Sequence, residues 1–190
     1  MFSNEIKAVC SNDKRLEPYF CGCFTQDVWL NQWKLHLKTE GGPNIFFVNS
    51  NNSKDEIHSI VPKIGHWTLI IMFYSTKSEK CVRSIHFDPI GKRPCAYGLP
   101  NEFFTEVTNT RVQTQSSIYC ALYCFVVAYN FVLSPITPRL ETVLHKYFSF
   151  NNTRSNDGIA LRFCKENFPE PYGQKINELM SKRVELWNKV

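Results

Sequence analysis

The stretch QTQSSIYCALYCFVVAYNFVL, Gln113 to Leu133, changes character at Cys120. The residues before Cys120 are mostly polar, whereas ALYCFVVAYNFVL is apolar on every side of a helix. A helix with no polar face belongs at the centre of a core, where it packs on a sheet. The stretch therefore predicts a buried central helix that begins near 117–119, with Cys120 in its first turn.

Upstream of this helix, the apolar segments have the composition of buried strands. GHWTLIIMFYS (Gly65 to Ser75) and CVRSIHF (Cys81 to Phe87) are rich in branched and aromatic residues, and the polar turn STKSEK lies between them. We expect an antiparallel hairpin that ends at the turn residues DPIG. NIFFVNS, which starts at Asn44, is a third strand candidate. Strands in the middle and helices at the ends predict an α+β fold.

Two further helices are predicted after the central one. Thr137 and Pro138 have the types of an N-cap and a first helical residue, and helical spacing continues through an apolar set that comprises Leu140, Val143, Leu144, Tyr147 and Phe148. The last segment repeats the pattern with Ile176, Leu179, Met180, Val184 and Trp187. No internal repeat or long linker interrupts the chain, so we expect a single domain over residues 1–190.

Composition narrows the class of protein. The chain has 190 residues, 43% of them hydrophobic and 14% aromatic, which is enough to build a sizeable core. No apolar run is long enough to span a membrane, and the first residues lack the apolar segment of a secretory signal, so we expect a soluble, non-secreted protein. Eight cysteines are too few for a disulfide scaffold, and most thiols should be free. A net charge of +5 from scattered basic residues permits polyanion binding without establishing it.

The position of Cys120 suggests chemistry. In the first turn of a helix, unpaired backbone N–H groups and the helix dipole favour an anion, so a thiolate is stabilised there and the pKa of the cysteine falls. A nucleophilic thiolate also needs a histidine beside it, a carboxylate to orient the histidine, and donors for an oxyanion.

The predicted hairpin offers two of these groups. His66 opens its first strand and Asp88 follows its second, and in an antiparallel pair the start of one strand lies beside the end of the other. Gln113 lies in the loop before the helix, from which its amide can fold back beside Cys120. His86 shares a strand face with Asp88 and is the alternative base, although we favour His66.

These residues resemble the adenovirus-type cysteine endopeptidases, the adenains, which are distantly related to the SUMO-deconjugating (Ulp-type) proteases. The resemblance rests on PYFCGCF, GHW, FDPIG, and Gln113 with Cys120 inside QTQSSIYCALYC, and it spans 18–131. No motif aligns in residues 132–190. It implies a papain-like, adenain-type fold in which a sheet, mainly antiparallel, carries the histidine and the acid, and the central helix carries the nucleophile.

The resemblance also implies roles. Cys120 would be the nucleophile, His66 the general base, Asp88 the acid that orients it, and Gln113 an oxyanion donor together with the backbone N–H of Cys120. Trp67 would flank a narrow cleft that admits glycine. The chain would be a monomeric endopeptidase, with no metal and no cofactor for its chemistry, that cleaves capsid or core precursors of a DNA virus at glycine-containing motifs, in the host nucleus and the virion.

Several positions depart from the adenain pattern. Adenains carry glutamate where this chain has Asp88, whereas the SUMO proteases carry aspartate there. Ala121 replaces the glycine that often follows the nucleophile. Adenovirus enzymes are activated by DNA and by a peptide disulfide-linked to a cysteine between the acid and the nucleophile. DNA remains a candidate activator here, but Cys95 is displaced from that position, which argues against peptide activation.

Other interpretations stay open at this point. A deconjugating protease for a ubiquitin-like modifier would share the four residues and the preference for glycine. An inactive basic module that binds DNA is a third interpretation. Cys21, Cys23, Cys81 and Cys95 suggest a zinc site only weakly, because no paired C-x-x-C spacing occurs. Cys124, one turn after Cys120, has the spacing of a small core residue.

Overall fold

The structure, a computed structural model, describes residues 1–51 and 65–187, with the side chains of 182–187 excepted. Its centre is a five-stranded sheet whose strands follow one another in chain order. The strands are β1 Phe20–Thr25, β2 Pro43–Asn49, β3 Trp67–Ser75, β4 Lys80–Phe87 and β5 Glu106–Val107.

The sheet is mixed: most of its residue pairing is antiparallel, as expected, but its two edge pairings are parallel, which the sequence did not predict. β2, β3 and β4 pair antiparallel, but both edge strands, β1 and β5, run parallel to their neighbours. A parallel pair needs a crossover connection instead of a tight turn. Here helical turns supply the crossovers: a helix at Gln26–Gln32 joins β1 to β2, and short 3-10 turns at Pro94–Tyr97 and Asn101–Phe103 join β4 to β5.

Six α-helices accompany the sheet in the described residues, so the architecture is α+β as predicted. They are α1 Ser3–Asn12, α2 Gln26–Gln32, α3 Cys120–Leu133, α4 Leu140–Tyr147, α5 Asn156–Asn167 and α6 Ile176–Trp187, with further 3-10 turns at Trp33–His36 and Thr153–Ser155.

The central helix α3 is buried as its composition predicts. Every residue from Cys120 to Tyr129 is at most 1% exposed, and the helix packs on β3 and β2 on one side and on α5 on another. Phe125 contacts Phe47 of the sheet and Phe168 just after α5, with ring centroids 4.8 and 4.6 Å apart. The helix therefore joins the sheet to the C-terminal helices.

A second apolar cluster covers the other face of the sheet. Trp29 of α2 is fully buried and stacks near Trp33 and Phe104, and the cluster extends to Phe46 and Ile70 of the sheet. Aromatic residues of the two crossovers thus cover a face that the strand pattern alone leaves open. The sheet consequently has no solvent-exposed face at its centre, which accounts for the continuous apolar runs in β2 and β3.

The predicted hairpin is confirmed, with β3 and β4 antiparallel over Leu69↔Phe87 to Ser75↔Lys80. The predicted start of α4 is wrong: its N-cap is Arg139 and the helix begins at Leu140. The cause is tertiary, because the Glu106 carboxylate of β5 accepts the Leu140 N–H at 2.9 Å and caps the helix from outside. Arg83 holds the Pro138 carbonyl at 2.7 Å, outside the helix.

The apolar pattern of the last helix is confirmed for its first two turns. Ile176 and Met180 are buried and Leu179 packs against the core, whereas the predicted contacts of Val184 and Trp187 lie outside the described side chains. All eight cysteines lie within the described residues, and none of them forms a disulfide. Over residues 1–51 and 65–187, no helix is both long and apolar enough to cross a membrane.

Candidate active site

The hairpin brings His66 and Asp88 together. His66 immediately precedes β3 and Asp88 immediately follows β4, and the register places these two strand ends side by side. His66 Nε2 lies 2.7 Å from Asp88 Oδ1. The local antiparallel pairing therefore produces an imidazole–carboxylate pair between residues that are far apart in the chain.

Asp88 is held as a carboxylate by the turn that follows it. It is fully buried, and besides His66 it accepts the backbone N–H groups of Ile90 and Lys92 at 2.9 and 3.1 Å and the Tyr97 hydroxyl at 2.6 Å. Burial alone would raise the pKa of Asp88, but the hydrogen bonds from His66, Tyr97 and Ile90 outweigh it and hold that pKa below its ordinary value. The buried carboxylate is thus charged and fixed in orientation.

Cys120 lies in the first turn of α3, as predicted, but it is the first helical residue, so the helix begins slightly later than the expected 117–119; Cys120 is 1% exposed. Its sulfur accepts the Trp67 backbone N–H at 3.4 Å and lies within hydrogen-bonding reach of the His66 ring. Because Nε2 of that ring is bonded to Asp88, Nδ1 is the nitrogen left for the sulfur. Burial opposes a charged imidazole, but the hydrogen bonds to Asp88 and Cys120 raise the pKa of His66 to about 9. An imidazolium between a carboxylate and a sulfur is the arrangement that favours a thiolate.

Gln113 lies beneath the loop that leads to Cys120. Its backbone N–H donates to the Pro89 carbonyl at 2.9 Å, and its side-chain Nε2 donates to the Ser117 carbonyl at 2.7 Å. The side chain is fully buried, and within the described residues its Oε1 has no hydrogen-bond partner. An amide nitrogen carries two hydrogens, so one remains after the bond to Ser117.

His86 does not join this group. It is fully buried, and among the described residues neither of its ring nitrogens has a hydrogen-bond partner. Burial lowers the pKa of His86 to about 4, and the charge of Asp88 opposes that shift only in part. Its ring packs near Phe104, with centroids 5.3 Å apart. The geometry of a base beside a thiol therefore belongs to His66.

Trp67 has the contacts of a core residue. Its side chain is 4% exposed, and its indole N–H donates to the Met1 carbonyl at 3.1 Å. The predicted role at the wall of a substrate cleft stays a prediction. Cys124 is fully buried and its thiol contacts the Trp67 carbonyl at 3.6 Å, in agreement with the core position that its spacing indicated.

Tyr97 is a member of the site that the sequence did not indicate. Its ring lies parallel to that of His66, with centroids 6.3 Å apart and an interplanar angle of 21°, while its hydroxyl reaches Asp88. Tyr97 comes nine residues after Asp88 and belongs to the 3-10 turn of the second crossover. The only local signal is the PCAYG segment, in which proline and glycine indicate a turn but not its direction.

In the described part of the chain, no group of three or more His, Cys, Asp or Glu side chains is placed to hold a metal ion. Cys21 and Cys23 lie on β1, Cys81 on β4, and Cys95 is exposed in the second crossover. The four cysteines that suggested a zinc site are therefore distributed over three elements.

A comparison of this chain with protein-family models finds no match, and neither does a search of curated proteins.

Proposed function

We propose that this chain is a cysteine endopeptidase in which Cys120 is the nucleophile and His66 the general base. The observation that carries the proposal is the position of the His66 ring, which reaches Asp88 at 2.7 Å through Nε2 and lies within hydrogen-bonding reach of the Cys120 sulfur at a helix N-terminus. Nucleophile, base and orienting acid in this order are the minimal set for thiol-mediated acyl transfer.

The proposed reaction has two stages. The Cys120 thiolate attacks the carbonyl carbon of the scissile peptide, and the oxyanion is stabilised by the remaining Gln113 amide hydrogen and by the backbone N–H of Cys120. The His66 imidazolium then gives its proton to the leaving amine as the C–N bond breaks, which leaves a thioester and a neutral imidazole. In the second stage, His66 takes a proton from water, the hydroxide adds to the thioester, and the thiolate leaves with a carboxylic acid product.

For the substrate we propose structural precursor proteins of a DNA virus that are cleaved at glycine-containing motifs during virion maturation, in the host nucleus and the virion, with DNA as an activator. Resemblance of the quoted motifs to adenains supports this choice. Glycine, whose side chain is a single hydrogen, would suit the Cys120 nucleophile, which is only 1% exposed, because larger residues need more room beside the sulfur.

A second candidate is a deconjugating protease for a ubiquitin-like modifier. The observation that favours it is the identity of the acid. Asp88 is an aspartate, the type found in the SUMO proteases, and four hydrogen bonds, one of them with His66, fix its short side chain. Both candidates share one chemistry and differ in the substrate.

Three substrates separate these possibilities: a fluorogenic peptide ending in Gly-Gly, a folded SUMO fusion, and viral capsid precursors. We expect cleavage of the peptide and the precursors by the wild-type chain and none by Cys120→Ala. Cys124→Ala is the matched control, since it removes another buried thiol from the same helix and should retain activity. Cleavage of the SUMO fusion alone would favour the second candidate, and equal rates with Cys120→Ala would exclude the proposed nucleophile.

A further inference from the structure

The first residues of α5 lie against the loop that carries Gln113. We infer that Asp157 is a positioning residue for Gln113: its carboxylate holds Ser117, and Ser117 holds the Gln113 amide. This inference rests on the proposed function, because it concerns the oxyanion donor of that reaction. It also assigns a role to the C-terminal region, in which no motif of the resemblance lies.

The contacts form a continuous chain. The Ser117 hydroxyl donates to Asp157 Oδ1 at 2.7 Å, and the Tyr123 hydroxyl of α3 donates to the same oxygen at 2.8 Å. The Ser117 carbonyl accepts the Gln113 amide at 2.7 Å. The Ser117 hydroxyl oxygen also accepts the Tyr119 N–H at 3.3 Å, at the entry to the helix. One carboxylate thereby fixes the residue that orients the amide and the helix that carries the nucleophile.

Asn156, the residue before Asp157, anchors the start of the loop 113–117. Asn156 is fully buried, and its amide donates to the Val112 carbonyl at 2.8 Å and to the Ser149 carbonyl at 2.7 Å. Val112 is adjacent to Gln113, so α5 is bonded to the chain on both sides of the segment 113–117. A loop that is fixed at both ends has few conformations in which its buried amide can rotate.

This rigidity matters because an oxyanion donor works by being in place before the charge develops. Misplacement of a catalytic group by about 1 Å can cost about 100-fold in rate. In the described structure only the bond to Ser117 orients the Gln113 side-chain amide, since Oε1 has no partner there. Loss of the hydrogen bond between Ser117 and Asp157 would therefore allow the Gln113 side-chain amide to change its orientation.

A merely structural role for Asp157 would be to join α3 to α5 through Tyr123. The chain contains another buried tyrosine–carboxylate contact on α3: the Tyr129 hydroxyl donates to the Asp13 carboxylate, and its oxygen lies 3.3 Å from the Asn167 carbonyl at the end of α5. Tyr129 lies more than two turns beyond Cys120. Tyr129→Phe thus removes a buried tyrosine–carboxylate hydrogen bond of α3 at a distance from the loop 113–117.

The decisive experiment is a double-mutant cycle between Asp157 and Gln113, measured as peptide cleavage. We expect Asp157→Ala to lower kcat about tenfold with KM changed less than about twofold, and to have less than about a twofold effect in a Gln113→Ala background. Asp157→Asn keeps an acceptor oxygen and should restore most of the rate. Tyr129→Phe should change stability without changing kcat. A tenfold loss from Asp157→Ala in both backgrounds would overturn the inference and leave the proposed function intact.

A second readout does not require activity. The side-chain amide resonances of Gln113, assigned by their loss in Gln113→Ala, should show slow hydrogen exchange in the wild-type chain and faster exchange in Asp157→Ala and Ser117→Ala. Unchanged exchange in both variants would overturn the inference. If the wild-type chain cleaves none of the substrates while this exchange responds to Asp157, the contact is as inferred and the proposed function is wrong.

Discussion

The two histidines of the hairpin lie in opposite environments although both are close to Asp88. His66 bonds to the carboxylate and has a pKa raised to about 9, so it is charged at neutral pH. His86 packs among aromatic rings with no partner for either nitrogen in the described structure, and its pKa is lowered to about 4. A proton at His86 would be a buried charge without compensation, and this has a consequence for stability.

We expect His86 to lower the free energy of unfolding on acidification, against an opposing contribution from His66, whose raised pKa makes protonation favour the folded state. The folded pKa of His86, about 4, lies below its ordinary value of 6.5, so between these values the unfolded state binds the proton and gains free energy. At pH 5 the loss is about 2 kcal/mol relative to neutral pH. His86→Phe should remove it, as shown by denaturant midpoints of both proteins at pH 7.5 and 5. Because both proteins contain His66, its contribution cancels in the comparison. If the midpoint changes equally with pH in the two proteins, the loss of stability does not come from His86.

Cys120 should be the first thiol to react with iodoacetamide at pH 6. Burial raises the pKa of Cys21 and Cys23 to about 12, and it also raises those of the interior thiols Cys124 and Cys164, so these remain protonated. Mass spectrometry of partially modified protein identifies the site. The competitor is the exposed Cys95, and a faster reaction at Cys95 would contradict the prediction that Cys120 is an activated thiolate. His66→Ala is the control that should slow Cys120 and leave Cys95 unchanged.

At the scale of elements, the turn after β4 connects Asp88 to the loop 113–117. The Pro89 carbonyl accepts the N–H groups of both Val112 and Gln113 at 2.9 Å, while the preceding residue, Asp88, holds His66. Gly91 closes this turn with φ +77°, and a Cβ there would lie 2.9 Å from the Arg111 nitrogen. One tight turn therefore sets the spacing between two parts of the proposed machinery.

Gly91→Ala should accordingly impair both stability and turnover. The added methyl group meets backbone that cannot move without displacing the segment that leads to Gln113, in addition to the strain of a left-handed alanine, about 1 kcal/mol. Gly98→Ala is the matched control, because Gly98 has a similar φ of +72° but no atom within 4 Å of its Cβ position. We expect kcat to fall at least about tenfold for Gly91→Ala and to stay unchanged for Gly98→Ala. Equal kcat in the two variants would show that this turn does not position the site.

The elements that the sequence predicts well are those with local causes. The hairpin follows from two apolar runs and a polar turn, and the start of α3 at Cys120 follows from a change in composition. Elements with distant causes were missed or misplaced. Glu106 of β5 caps α4 at Leu140, so the helix does not begin at Pro138. The edge strands are parallel because of crossover connections, and no local sequence pattern predicts the direction of such a connection.

The same division applies to the candidate site. His66, Asp88 and Cys120 come together because a hairpin and a helix terminus place them, and both features are visible in the sequence. Tyr97 and Asp157 reach the site through tertiary contacts with Asp88 and Ser117, so neither has a signal in its own neighbourhood. The sequence predicted the residues that we propose carry the chemistry, whereas the residues that hold them in place required the structure.

For the molecule as a whole, the net charge of +5 bears on regulation. If DNA is an activator, it should bind through phosphate contacts that release counterions, so that its effect weakens steeply with salt. We expect added duplex DNA to raise the rate of precursor cleavage at low ionic strength, without dependence on sequence. The measurement is cleavage rate against DNA at two salt concentrations, with and without reductant.

The reductant and Cys95→Ser serve as controls for that experiment. Cys95 is exposed and lies two residues before Tyr97, so a disulfide-linked activator attached there would act close to Asp88. We expect neither the reductant nor Cys95→Ser to change the activation by DNA. A rate that does not respond to DNA in any of the four conditions would exclude the activator, and a loss with Cys95→Ser would show that a peptide link operates after all.

The order of the strands in the sheet has a consequence for the nascent chain. Each strand pairs with its neighbour in sequence, so β3 and β4 can pair, and bring His66 beside Asp88, before the later residues have been synthesised. The thiol arrives with α3, and the contacts of Asn156 and Asp157 form only after α5 has left the ribosome and docked. A growing chain would thus hold the proposed acid and base long before the loop 113–117 is secured, and if the proposed function is right we expect hydrolytic competence to appear late in translation.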